Sequence, residues 1–79
     1  MPIRKILVVD DSPVERLALQ EVLSRHGYQV LSAENGEQAI ARSRTEHPDL
    51  ILMDVVMPGM NGYQATRTIS RADETRDIP

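Results

Sequence analysis

Two short apolar runs in this chain stop abruptly at carboxylates. Ile6-Leu7-Val8-Val9 runs into Asp10-Asp11, and Leu50-Ile51-Leu52-Met53 runs into Asp54. An apolar run of this length bounded by acidic residues predicts a buried parallel strand whose carboxyl end reaches the surface. In open α/β sheets, ligands bind just outside those ends. Three carboxylates gathered there repel one another unless a cation sits among them. The two runs together therefore predict a divalent-metal site.

The stretches between the runs read as helix, strand, helix, so the order is β-α-β-α-β-α. The first strand is expected over Lys5 to Val9. Ser12-Pro13-Val14-Glu15 opens a helix, with Ser12 as cap, Pro13 at the first helical position and Glu15 closing a capping box. Leu17, Ala18 and Val22 are expected to form its apolar stripe. Gly27 sits where a left-handed helix end belongs, after Arg25 and His26, and His26 reads as compensating the helix dipole. Tyr28 to Ala33 is rich in β-formers and reads as the second strand. Asn35 caps the second helix with Gln38 as its reciprocal partner, and Ala39 and Ile40 are expected to face inward. That helix ends before His47-Pro48, because a residue preceding proline disfavours helix. The third strand is expected over Asp49 to Met53 and a loop over Val55 to Asn61, broken by Pro58 and Gly59. The third helix runs from Gly62 to about Arg71, and Ala72 to Pro79 is polar until Ile78-Pro79.

Two successive β-α-β units imply a parallel sheet with right-handed crossovers. Three strands fit the order 1-2-3 or 2-1-3. Only 2-1-3 sets the ends of the first and third strands side by side, which the carboxylates favour. The expected class is an α/β, doubly wound, flavodoxin-like parallel sheet in truncated form. With 79 residues, the chain holds one domain or part of one. It has no cysteine, so disulfide, zinc-thiolate and thiol-nucleophile chemistry are excluded. Net charge is −3 without a basic patch, so no nucleic-acid partner is expected in this segment. No apolar run approaches the ~20 residues of a membrane helix, and the N-terminus lacks a secretory signal pattern. A soluble cytoplasmic protein is the default expectation.

The carboxylates also suggest a chemistry. Hard oxygen ligands with retained waters are what Mg²⁺ prefers, and such an ion usually neutralises phosphate oxygens. If one carboxylate is the nucleophile, the product is an aspartyl phosphate. Asp54 suits that role, standing alone at its strand end with a loop after it. Asp10 and Asp11 each admit a plainer reading as helix-entry charges, but Ser12 already caps that helix.

The combination Val8-Val9-Asp10-Asp11-Ser12, then Ala33 and Asn35-Gly36, then Met53-Asp54 with Met57-Pro58-Gly59-Met60-Asn61-Gly62, resembles the receiver domain of two-component response regulators. The resemblance spans the whole chain. It implies that Asp54 is the phosphoacceptor, that Asp11 binds Mg²⁺ directly and that Asp10 acts largely through water. It further implies that Val56 gives a backbone carbonyl to the metal and that Met57 lies beside the phosphate. The implied partner is a histidine kinase or phosphotransfer domain. Asp10-Asp11-Ser12-Pro13 with Asn61-Gly62-Tyr63-Gln64-Ala65-Thr66-Arg67 is similar, more narrowly, to stand-alone regulators of type IV pilus twitching motility.

Receivers carry a hydroxyl residue after a fourth strand and a lysine after a fifth, and neither has a counterpart in residues 1–79. The expected domain is thus a partial receiver holding strands one to three and helices one to three. A chain ending at Pro79 is expected to be a fragment, with the third strand's outer edge unpaired. Such an edge invites a homodimer or an element swap. Two other functions compete with the phosphoacceptor reading. One is a phosphorylation-incompetent fragment acting only through self-association. The other is a Mg²⁺-dependent phosphatase of the haloacid-dehalogenase type, which wants Asp-x-Asp where this chain has Asp10-Asp11-Ser12.

Overall fold

The computed structural model describes residues 3–54, 62–72 and 77–79. Its elements are β1 (Lys5–Val9), α1 (Pro13–Arg25), β2 (Gln29–Ala33), α2 (Gly36–Glu46), β3 (Leu50–Met53) and α3 (Gly62–Arg71). The sheet is parallel with the order β2-β1-β3, as the carboxylates require. Register pairs Ile6 with Val30 and Leu50, and Val9 with Ala33 and Met53. Two boundaries differ by one residue from the sequence expectation. Tyr28 donates its N–H back to the Leu23 carbonyl at 3.2 Å, which keeps it with the end of α1. Asp49 precedes β3 and uses its side chain as a cap.

That cap closes the amino-terminal end of the sheet. Asp49 Oδ2 accepts the backbone N–H groups of Arg4 (3.0 Å) and Lys5 (2.9 Å), and Asp49 N–H donates to the Lys5 carbonyl at 2.7 Å. The Lys5 amide, then that of Arg4, hold the Asp49 carboxyl below its ordinary value by bonding its charged form. Lys5 Nζ in turn donates to the Glu46 carbonyl at 2.9 Å. Polar ties therefore fasten one end of the sheet, and the carboxylates gather at the other.

The crossovers reverse direction at β1: α1 leads outward to β2 and α2 leads back across to β3. Right-handed connections running in opposite directions place their helices on opposite faces. Leu7, Val9 and Ala33 pack with Ala39 of α2 on one face, joined by half-buried Leu31, Ile51 and Met53. Helix α3 lies against α2, burying Ala65 and Ile69. Ser43 of α2 is fully buried, and its hydroxyl donates to the Ile40 carbonyl at 2.8 Å. Ile40 itself is only half-buried, a correction to its expected inward position.

Strand alternation turns Ile6, Val8, Leu50 and Leu52 to the other face. Helix α1 packs there against β1 and β2. Ile6 and Val8 are buried beneath it, while Leu50 and Leu52 are half-buried. One helix cannot cover three strands, and α1 buries no residue of its own. Its expected apolar stripe is on the wrong side: Leu17 is 59% and Val22 51% exposed, with Val14 at 77%. The half-buried positions of α1 are Arg16, Gln20 and Leu23. A second correction concerns the edge of β3, which is not bare at Ile51: its N–H donates to the Pro79 carbonyl at 3.0 Å.

Both helix ends behave as short-range chemistry dictates. Gly27 takes φ +87°, the left-handed conformation expected of it. His47 also closes α2 in the left-handed region, at φ 47°, which its sequence did not announce. The Asn35 cap accepts Gln38 N–H at 2.8 Å, while Gln38 Oε1 accepts from Glu34 N–H at 2.9 Å.

Candidate functional site

The ladder carries the site residues past the ends of the strands. Asp10 N–H donates to the Ala33 carbonyl at 3.2 Å, and Asp54 N–H donates to the Val9 carbonyl at 2.9 Å. These bonds extend the β2-β1 and β1-β3 pairings by one residue and pin both backbones where the apolar runs stop. Asp11 follows as the first exposed residue. Asp10, Asp11 and Asp54 consequently share one corner, each offering a carboxylate oxygen within 4.8 Å of the other two.

The three carboxyls are not equivalent. Asp10 is buried, at 8% exposure, and its Oδ1 accepts the Ser12 N–H at 2.9 Å. Its backbone carbonyl accepts Arg16 Nη1 at 2.7 Å, so a cation from α1 braces this corner from behind. Asp11 is exposed and Asp54 half-buried. One Asp10 oxygen is thus engaged, and Asp54 has a backbone fixed to Val9 and is half-buried. Val56 and Met57, expected to serve as carbonyl ligand and phosphate neighbour, lie outside the described residues.

A fourth acid approaches the corner. Hydrogen bonding with Asp10 is the first cause holding the Glu15 carboxyl above its ordinary value. The charge of Asp10, loss of water, and the charges of Asp54 and Asp11 add to it in that order. The sequence reading assigned Glu15 to a capping box, and the structure keeps only half of that motif. Ser12 Oγ accepts Glu15 N–H at 3.4 Å, but the Ser12 N–H is taken by Asp10.

The donor set suits a small hard cation. At Mg²⁺–O lengths of about 2.1 Å, oxygens of an octahedron lie about 3 Å apart along an edge and about 4.2 Å apart across it. A spread of up to 4.8 Å therefore accommodates direct contact from part of the set and contact through water from the rest. Among the described residues, no histidine or cysteine joins the group, which leaves it all-oxygen. No helix of the described residues is long and apolar enough to cross a membrane.

Known proteins share this arrangement. The family profile described as response regulator receiver domain matches residues 6–79. Protein PilH of Pseudomonas aeruginosa is 55% identical over 75 residues, covering 95% of this chain and 62% of PilH. The N-terminal domain of a response regulator receiver protein from Methanoculleus marisnigri superposes with a TM-score of 0.94 at 37% identity, over 99% of this chain and 63% of that one. The receiver domain of the sensor histidine kinase PA1611 from Pseudomonas aeruginosa, described with a magnesium ion coordinated in its active site cleft, superposes with a TM-score of 0.91 at 35% identity, over 99% of this chain and 64% of that one. The chain thus spans less than two thirds of the length of these relatives. With the profile match across nearly its whole length, the chain belongs to the family of response regulator receiver domains.

Proposed function

We propose that this chain is the phosphoacceptor part of a two-component phosphorelay, taking a phosphoryl group on Asp54 from a histidine kinase or phosphotransfer domain. Receiver domains are signalling regulators phosphorylated on aspartate, and the proposal assigns that role to residues 1–79, read as strands and helices one to three of a receiver. The observation that carries it is the convergence of Asp10, Asp11 and Asp54 within 4.8 Å at the carboxyl ends of β1 and β3.

In this reading Asp11 and Asp54 would hold Mg²⁺ and Asp10 would act through water, while the resemblance assigns a backbone-carbonyl ligand to Val56 and a place beside the phosphoryl group to Met57. Bound there, the ion supplies neutralisation of phosphoryl oxygens. An Asp54 carboxylate oxygen attacks phosphorus, the new O–P bond forms as the donor's N–P bond breaks, and the imidazole departs. Asp54 is favoured over Asp10 because it is half-buried at its strand end, whereas Asp10 is buried at 8% exposure. A cytoplasmic setting and partnership with a kinase belong to the same proposal.

Intact mass before and after incubation with Mg²⁺ and an acyl-phosphate donor tests it, beside an Asp54→Ala control. One phosphoryl gain that vanishes in the control is the expected result. No gain overturns the reading in favour of an incompetent fragment, and sustained release of free phosphate over many turnovers would favour the phosphatase. For self-association, the bond between Ile51 and Pro79 moves attention from the β3 edge to the exposed Val14, Leu17 and Val22 of α1. Light scattering across a concentration series is expected to show a mass that rises, and rises less in a Val14→Gln, Leu17→Gln variant.

A further inference from the structure

Arginine is mostly an exposed residue, yet Arg16 is one of the half-buried positions of α1. Its guanidinium has a partner there: Nη1 donates to the Asp10 carbonyl at 2.7 Å. The last residue pair of β1 with β2 is Val9 with Ala33, so that carbonyl falls beyond the ladder and the side chain takes the place of a further rung. A bond of this length from a charged donor is of the strong, charge-assisted kind. Two longer bonds close the same turn. Ser12 N–H donates to Asp10 Oδ1 at 2.9 Å, and Arg16 N–H donates to the Ser12 carbonyl at 3.0 Å. The Asp10 carbonyl and the Asp11 N–H belong to one planar peptide unit. A clamp on that carbonyl therefore sets the plane from which the Asp11 Cα, and with it the carboxylate of this exposed residue, departs.

We propose that Arg16 is a positioning residue of the cation site: by holding the Asp10 carbonyl it aims the Asp11 carboxylate at the corner shared with Asp10 and Asp54, and so tightens Mg²⁺ binding. The inference rests on the reading of those three aspartates as the Mg²⁺ site, and it adds a residue that contributes no ligand atom. Position and charge act here with opposite signs. A guanidinium beside this corner repels a dication, so as a charge alone Arg16 weakens Mg²⁺ binding and its removal tightens it. As a clamp it strengthens binding, and its removal leaves an exposed ligand loosely aimed. The direction of the change on neutralising Arg16 separates the two.

Calorimetric titration of the metal-free chain with MgCl₂ tests this on wild type, Arg16→Met, Arg16→Lys and Asp49→Asn, at a temperature where circular dichroism shows each to be folded. Arg16→Met keeps an unbranched stem and removes both donor and charge. It is expected to raise the Mg²⁺ dissociation constant about tenfold, the low end for a partner standing behind a metal ligand. Arg16→Lys keeps a charged donor on a flexible stem and is expected to fall between Arg16→Met and wild type. Asp49→Asn loosens the opposite end of the sheet and is expected to leave Mg²⁺ binding unchanged. If Arg16→Met does not fold, Arg16→Gln, neutral and with a shorter side chain, takes its place with the same expected loss. Tighter or unchanged binding in the neutral variant overturns the inference. An equal loss in Asp49→Asn reduces the effect to general loosening and also overturns it. Wild type that does not bind Mg²⁺ at all overturns the underlying reading as well, and is told apart because no affinity is then left to compare.

Discussion

Asp54→Asn is expected to stabilise the metal-free chain. In the folded state the Asp54 carboxylate lies within 4.8 Å of oxygens on both Asp10 and Asp11. In the unfolded chain, more than forty residues separate Asp54 from that pair. At 4.8 Å, two like charges repel by about 0.9 kcal/mol in a medium of dielectric about 80, and by about 3.5 kcal/mol at about 20. The exposed Asp11 belongs near the first limit, and buried Asp10 lies between the two. Allowing for screening, removal of both repulsions is worth about 1–3 kcal/mol at low ionic strength. The backbone anchor to Val9 survives the substitution. Asparagine also keeps the side chain's size and one acceptor oxygen.

Urea unfolding followed by far-UV circular dichroism, in EDTA at about 0.01 M salt, should place the Asp54→Asn midpoint above that of wild type. The gap should shrink toward 1 M salt, where the Debye length falls to about 3 Å. Saturating Mg²⁺ should then lift wild type and largely spare the variant, since a ligand present at 100 times its dissociation constant adds about 2.7 kcal/mol. A variant less stable than wild type in EDTA would refute the electrostatic account. So would a gap that salt does not change, because packing and hydrogen bonds are insensitive to screening.

Three further outcomes check the frame that holds the site. Leu7→Ala empties a position with 0% exposure in the central strand and should cost about 2–5 kcal/mol, enough to abolish a cooperative urea transition in so small a domain. Asn35→Ala removes the 2.8 Å cap on Gln38 and should cost about 1 kcal/mol in the same assay, more than Ser12→Ala, whose cap bond is 3.4 Å long. Asp49→Asn should lower stability at neutral pH. Because the folded Asp49 carboxyl titrates below its ordinary value, its charged form contributes above that value and loses its contribution as pH falls through the folded one. The difference from wild type should therefore close in acid, as measured by thermal melts across a pH series.

What the sequence made legible depended on rules that act over a few residues. Runs that stop at Asp10 and Asp54 marked strand ends, Asn35 and Gly27 marked helix ends, and the need to gather carboxylates chose between two strand orders. The face of α1 was not legible by the same means. Periodicity shows that Leu17, Ala18 and Val22 share a side, but coverage is decided by crossover direction and by what lies over the sheet, which put Arg16, Gln20 and Leu23 underneath. Glu15 illustrates a second limit. The Ser-x-x-Glu spacing is the same whether the carboxyl turns back to the cap or outward to the acids. The choice falls to Asp10, which competes for the Ser12 amide only once the ladder to Ala33 has set its position. Ser43 was hidden for a third reason: a hydroxyl that satisfies itself on the carbonyl three residues back buries without any mark in composition.

The two ends of the sheet explain how a small domain holds like charges together. Carboxylates on a free loop would drift apart until solvent screened them. Here the Asp10 and Asp54 amides are bonded to Ala33 and Val9, so separating the charges requires breaking ladder bonds next to buried core residues. Leu7, Val8 and Val9 are each at most 1% exposed, and full burial of side chains of this kind is worth about 1.5–3 kcal/mol apiece. That exceeds the repulsion of about 1 kcal/mol for an exposed pair at the corner. The apolar run and the acids that end it are therefore one device: the run supplies the stability that offsets the charge, and its last hydrogen bonds decide where the charge is held. A milder substitution that loosens β1, such as Leu7→Val, should on this argument weaken Mg²⁺ binding without touching a single carboxylate, measurably so under conditions where the variant remains folded.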